Sequence, residues 1–311
     1  MLALFLCLAL LSGCSTQKKL VLATGETTGT YYSYGSAIAM ILSDRSDVKM
    51  TVSSTSGSRA NIALLKNGDA DLAIVQNDVA YYAYTGTDLM QEEAEYADLR
   101  TIGALYPEVV HIVARKSVTS IDQLAGLTVS VGENGSGTEF NARQVLEAYG
   151  ISFDDIHVVN LGFSSSADAL KSGQIDAFFA VSGSPATYIA NLAEIYDFNL
   201  LSVDETHYRD LVNQYGFYVL ETIPAGTYKN IRSDTQTLAV KAVLVADKSV
   251  KADTVYAFLE ALFENREELE TAHVKGALLS ENEILNGIST PLHEGALRYY
   301  EDIGLDISMF D

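Results

Sequence analysis

One pattern occurs twice in these 311 residues, and it restricts the fold more than any other feature. "LLKNGDADLAIVQ" and "ALKSGQIDAFFAV" each place a glycine two residues after a lysine and an aspartate three residues after that glycine: Lys66, Gly68, Asp71 and Lys171, Gly173, Asp176. Upstream of each lies an apolar run, a glycine-rich turn and a helical segment: "TGETTGTYYSYG" in the first copy and "VGENGSGTEFNARQVLEAYG" in the second. In the first copy, periodicity predicts a strand at 19–24, a helix at 32–44, a strand at 49–54, a helix at 59–66 and then the buried strand "ADLAIVQ". The second repeats that plan, with a strand at 157–161. Two α/β units of one design follow. Right-handed crossovers place both glycine turns at the carboxyl ends of parallel strands, where open α/β sheets bind ligands.

Two β-rich runs connect these units. "LYPEVVHIVARK", 105–116, crosses from the first to the second, and "TLAVKAVLVA", 237–246, returns. The closing segment, with one helix predicted over 252–273, then packs on the first unit. This divides the chain into residues 14–115 with 241–311 as one lobe, and 116–240 as the other.

The amino terminus reads as a targeting signal. "LALFLCLALLSGC" is too short to span a bilayer as a mature helix and ends in Leu11-Ser12-Gly13-Cys14. It resembles a lipoprotein signal peptide, which implies removal of residues 1–13 and a lipid on Cys14. The usual basic residue ahead of the apolar run is missing. Cys7 and Cys14 are the only cysteines, so the mature domain has no disulfide. With 20 Lys+Arg against 41 Asp+Glu, the net charge of -21 argues against nucleic acid or an anionic membrane surface as partner.

Enzyme signatures are missing. There is no Gly-Lys dipeptide for a P-loop, and Phe140 stands where a dinucleotide fingerprint needs its third glycine. There is no Gly-x-Ser-x-Gly elbow or His-Glu-x-x-His, and the five histidines have no metal-ligand spacing. The reading is therefore a non-enzyme with no cofactor, no metal and no catalytic residue. A cleft enzyme with Asp78 or Glu108 as base is an alternative, without a visible nucleophile–base pair.

What the turns offer instead is a seat for an anion. Backbone N–H groups at a helix start, with small hydroxyl side chains, suit a carboxylate. Gly135 to Thr138 supply them in the second copy, and Thr28, Gly29 and Thr30 in the first. Tyr31, Tyr32, Gln76, Asn77, Asp78, Tyr81 and Tyr82 are candidates to wall the cleft, and Arg59 and Arg115 are the nearest basic side chains in sequence.

These features together resemble the TAXI family of solute receptors for TRAP transporters. The similarity runs from about Leu22 to Tyr300 through "TGTYY", "ADLAIVQNDVAY", "LYPEVVHIVARK", "GSGTEFNARQVLEAYG", "ADALKSGQIDAFF", "IPAGTY" and "PLHEGALRYY". The resemblance implies a two-lobed periplasmic-binding-protein type II-like fold, each lobe an α/β sandwich with a mostly parallel sheet, joined by hinge strands. It also implies a monomeric, lipid-anchored extracytoplasmic receptor that closes on a small organic acid or glutamate-like solute and delivers it to a TRAP permease. Mapped here, the groove uses Thr28, Gly29, Thr30 and Tyr32 from the first turn and Ser58, Gln76, Asp78, Tyr81 and Glu108 from the rest of the first lobe. Ser136, Gly137 and Thr138 complete it. Relatives often carry Gly-Gly-Thr-Gly-Gly-Thr where this chain has Gly25-Glu26-Thr27-Thr28-Gly29-Thr30, and Glu133 likewise follows Gly132. Those added carboxylates read first as solvent-exposed; turned into the cleft, they would repel a dianion or hold an ammonium. An ABC-type receptor for a phosphate-bearing or sulfonated solute is the second reading of the same turns.

Overall fold

In the computed structural model, which describes residues 19–310, the repeat becomes two βαβαβα units. The first runs β1 (Leu20–Ala23), α1 (Thr30–Arg45), β2 (Met50–Ser53), α2 (Ser58–Asn67), β3 (Leu72–Gln76) and α3 (Asn77–Thr85). A 17-residue strand, β4 (Leu99–Arg115), leads to the second: β5 (Thr128–Ser130), α4 (Gly137–Ala148), β6 (His157–Val159), α5 (Phe163–Lys171), β7 (Ala177–Ser182) and α6 (Thr187–Ile195). Then follow β8 (Phe198–Leu200), α7 (Glu205–Gln214), β9 (Val219–Ile223), β10 (Thr235–Asp247), α8 (Ala252–Glu264), α9 (Arg266–Ala272) and α10 (Glu294–Asp302). The segment 1–18, with the signal reading and Cys14, lies outside the described residues.

Both units wind the same way. The parallel strands lie in the order β2-β1-β3 in one and β6-β5-β7 in the other, so the order reverses after the first strand of each. Right-handed crossovers in opposite directions then put successive helices on opposite sheet faces. The cores agree: Tyr34, Ile38 and Leu42 of α1 pack with Phe258 of α8 and Tyr300 of α10, whereas Ile62 and Leu65 of α2 pack on the other face with Val79 of α3. In the second unit Val145 and Leu146 of α4 lie on one face, and Leu170 of α5 with Ile189 of α6 on the other.

The repeated aspartates explain their own recurrence. Asp71 accepts from Val21 N at 2.9 Å while its own N–H donates to Val21 O; Asp176 accepts from Thr128 N at 2.9 Å while its N–H donates to Thr128 O. Each aspartate thus ties the start of its unit's last parallel strand to the first. Gly68 and Gly173, at φ 76° and 73°, end α2 and follow α5 in the left-handed region that glycine adopts at little cost.

Rather than two separate sheets, one ten-stranded mixed sheet runs through the molecule, because β4 and β10 belong to both units. Strand β10 pairs antiparallel with β3 over 242–246 and with β4 over 239–247, and β4 pairs antiparallel with β7 over 109–114. The closing helix departs from the single element expected over 252–273. It breaks at Asn265 (φ −108°, ψ 21°) into α8 and α9, with the Asn265 Nδ2 donating to Ala261 O at 2.8 Å, since asparagine competes for the backbone bonds that continue a helix.

Candidate functional site

Both chain reversals open toward one place. The loops after β1, β2 and β3 face those after β5, β6 and β7, and between them lies a cavity of about 30 Å³, large enough for a water or two. Thr30, Ser58, Gly137 and Phe163, the first residues of α1, α2, α4 and α5, all line it. The leading N–H groups of a helix have no intrahelical acceptor and sit at the positive end of its dipole. Four helices, two from each unit, therefore aim that end at one small volume.

Hydroxyls add directed donors. Thr138 Oγ1 accepts from Val181 N and Thr30 Oγ1 from Gly183 N, each at 3.2 Å, leaving the hydroxyl proton of each to be donated. Ser58 Oγ accepts from Gln76 N at 3.1 Å. Ser136 is the N-cap of α4, taking Glu139 N at 3.2 Å. Gln76 Oε1, in a side chain 2% exposed, has no hydrogen-bond partner among the described residues. It lies against Gly137, where a Cβ would overlap it.

The electrostatics of the cavity are acidic as well as dipolar. Glu108, on β4 and 2% exposed, accepts from the Tyr31 hydroxyl at 2.6 Å; burial pushes its carboxyl up to about 8 against the pull of that bond. Glu26 also lines the wall, and burial raises its carboxyl to about 7, with Phe163 N–H opposing and neighbouring Glu133 adding to the rise. Among the described residues no lysine or arginine lines the cavity. Arg59 pairs with Glu93 and Arg115 with Asp176, both outside it.

Direct bonds hold the two units together around this volume. Arg59 N and Ala60 N of α2 donate to Gly135 O at 3.0 and 3.2 Å, and Phe163 N of α5 donates to both Glu26 oxygens at 2.8 Å. Beside the cavity, Asn141 Nδ2 donates to Asp78 Oδ2 at 2.8 Å, and Gln76 Nε2 donates to Asn141 Oδ1 at 3.0 Å. Lys275 Nζ reaches Ser184 O at 2.7 Å.

Of the twelve residues mapped as the groove, Gly29, Thr30, Ser58, Gln76, Glu108, Ser136, Gly137 and Thr138 come together on the cavity wall, and Tyr31, a further candidate for the wall, joins them. Four do not. Thr28 is exposed and lines a separate surface groove with Ser33 and Asp168, because the turn after Glu26 carries it outward. Tyr32 falls out of phase on α1, whose inward positions are Tyr31 and Tyr34. Asp78 is buried in the bond to Asn141, with its carboxyl raised to about 6 by burial, and Tyr81 is 38% exposed on the outer side of α3. Gly57, Phe163 and Ser182 line the cavity and were missed as candidates. The repeat carried a signal for Phe163: it opens the second helix of its unit, as Ser58 does in the first.

Among solved structures, the chain is similar to a periplasmic transporter at 12% identity over 92% of each chain, with a TM-score of 0.56. It is also similar to a protein from Bordetella bronchiseptica RB50 at 16% identity over 95% of this chain and 93% of that one, TM-score 0.55. A third is PhnD1 from Prochlorococcus marinus MIT 9301 in complex with methylphosphonate, at 12% identity over 84% and 88%, TM-score 0.53. These likenesses establish the shared α/β binding-protein fold. The NMT1-like family matches residues 22–304, from the first strand through α10, and the chain belongs to that family.

Proposed function

We propose that this protein is an extracytoplasmic solute receptor that catalyses nothing, seats a small organic acid or glutamate-like solute between its two units, and passes it to the membrane subunits of a TRAP transporter. One observation carries the reading: four helix N-termini, drawn equally from both units, converge on a single cavity. The N-termini of α2 and α5 already meet the Gly135 carbonyl and Glu26, so an anionic group there gains N–H and hydroxyl donors from α1 on one side and α4 on the other, and its contacts favour the closed arrangement over an open one. Charge-assisted bonds contribute roughly 1.5–3 kcal/mol each, and micromolar affinity needs about 8 kcal/mol net. Three or four such bonds with enclosure suffice. A cavity of about 30 Å³ does not hold such a solute, so the units must separate to admit one. Glu108, with its raised carboxyl beside the Tyr31 hydroxyl, is placed to meet an ammonium or hydroxyl of the guest.

Removal of donors tests this directly. Double substitution Ser136→Ala with Thr138→Ala is expected to weaken calorimetric binding of the solute recovered by mass spectrometry of the purified protein by tenfold or more, with the fold retained. Unchanged affinity contradicts the assignment.

A second reading is an ABC-type receptor for a phosphonate, phosphate or sulfonate, supported by the likeness to PhnD1 with methylphosphonate. The wall opposes it, since it presents Glu26 and Glu108 and no basic side chain among the described residues. Competition between methylphosphonate and small carboxylates separates the two. Lipid anchoring at Cys14 is part of the proposal, and mass analysis of the membrane-extracted protein reads it out.

A further inference from the structure

Glu26 is a feature of the wall that an anion seat does not explain. Its carboxylate comes from the first unit's turn, yet both oxygens accept from Phe163 N at the start of α5 in the second. Above about pH 7, where the Glu26 carboxyl is ionised, the nine-residue helix α5 therefore already has a negative group on its N-terminus, supplied by the protein. The backbone is shaped around it: a Cβ on Gly162 would strike the Glu26 carboxylate and lie 3.0 Å from Glu133 Oε1. At the matching position of the other unit, the N-terminus of α2 receives the neutral Gly135 carbonyl. On the same cavity, Gln76 Oε1 is a buried acceptor with no partner among the described residues, which calls for a donor on the guest and not a second anion.

We propose that Glu26 is a specificity-determining residue, standing in for an anion at the start of α5, so that the cleft admits solutes with one anionic group and rejects those with two. This rests on the reading of the cavity as a solute seat and narrows it. A solute with a second carboxylate must either face Glu26 at close range or displace it and break the bond between the units. An amide in place of that carboxylate does neither, and its N–H suits Gln76 Oε1. Glutamine is thereby favoured over glutamate, and a half-amide over its dicarboxylate.

The test uses two probe pairs of nearly equal shape, L-glutamine with L-glutamate and succinamate with succinate, titrated calorimetrically at pH 8.5 into the wild-type protein and into Glu26→Gln. At least one pair is expected to favour the amide tenfold or more in the wild type, with that preference falling to threefold or less, or reversing, in the variant. Glu26→Gly repeats the measurement without the carboxamide and serves if Glu26→Gln does not give a normal melting transition. A preference of equal size in wild type and variants overturns the role of Glu26, as does a wild type that binds the dianion as well as the amide. Binding of none of the four probes, at millimolar concentration, by any of the proteins overturns the small-carboxylate seat itself, and this inference with it.

Discussion

The two units clasp each other in the same way with different chemistry. In each, the turn before the first helix reaches across to the N-terminus of the other unit's second helix. From the second unit, Gly135 offers a backbone carbonyl to α2; from the first, Glu26 offers a carboxylate to α5. A carbonyl is fixed by the main chain, neutral at every pH and unaltered by substitution. A carboxylate titrates and can be replaced by mutation without touching the turn. The repeat therefore carries the geometry of the clasp, and one side chain makes its halves unequal.

The sharpest way to break that equivalence is to fill the glycine that opens each first helix or precedes it. A Cβ on Gly137 overlaps Gln76 and lies 2.9 Å from Ser58 Oγ, across the boundary between the units; on Gly29 it meets Glu26 O at 3.2 Å and the Phe163 ring at 3.3 Å. Overpacking of the first kind costs about 1–3 kcal/mol. Gly137→Ala is therefore expected to lower solute affinity about tenfold to a hundredfold, and Gly29→Ala about threefold or less, by calorimetry. Equal losses would show that the two turns are not distinguished by their packing.

Charge gives the next effect. The carboxyl of Glu108, where β4 passes from one unit to the other, is raised from an ordinary 4.5 to about 8. Folding therefore favours its protonated form. That stabilisation is complete below pH 4.5 and is lost as pH rises to about 8; Glu26, raised to about 7, acts in the same direction. His111, lowered to about 4 by burial, works oppositely but only below pH 6.5. Between pH 6.5 and 8 the Glu108 contribution falls by about 2 kcal/mol. Melting temperature should drop over that range in the wild type and drop much less in Glu108→Gln. The same slope in both would remove Glu108 as its source.

The smallest expected effect tests sameness. Gly68 and Gly173 share a left-handed conformation and have open space where a Cβ would go. Alanine at either should cost about 1 kcal/mol of stability by chemical denaturation, and nearly the same at both. A large disparity would mean that the units differ at positions where the repeat makes them alike.

Much of this architecture was legible because the repeat carries physical content. The Lys-x-Gly-x-x-Asp spacing sets a helix stop and a strand brace in each unit, and the glycine turns lead into helices that meet at one cavity. Side-chain direction was harder to read. Tyr31 and Tyr34 turn inward while Tyr32 does not, a phase available from the buried positions 31, 34, 38, 41 and 42 only once the helix start at Thr30 is known. Asp78 was drawn toward the cavity by its place after Gln76, but α3 begins at Asn77 and carries its carboxylate to Asn141 of the other unit. Glu26 stood out as a departure, and its partner, a backbone N–H 137 residues away, leaves no mark in local sequence.

The long strands have a mechanical consequence. Because β4 and β10 run from one half of the sheet into the other, paired along their length with register shifts at Ala242/Val243 and Leu244/Val245, parting those halves must twist a hydrogen-bonded ribbon instead of swinging a tether. Side chains alternate along a strand, so a single residue inserted into β4 ahead of Glu108 and kept in the ladder would lengthen the ribbon by one residue and turn this carboxyl to the opposite side of the sheet.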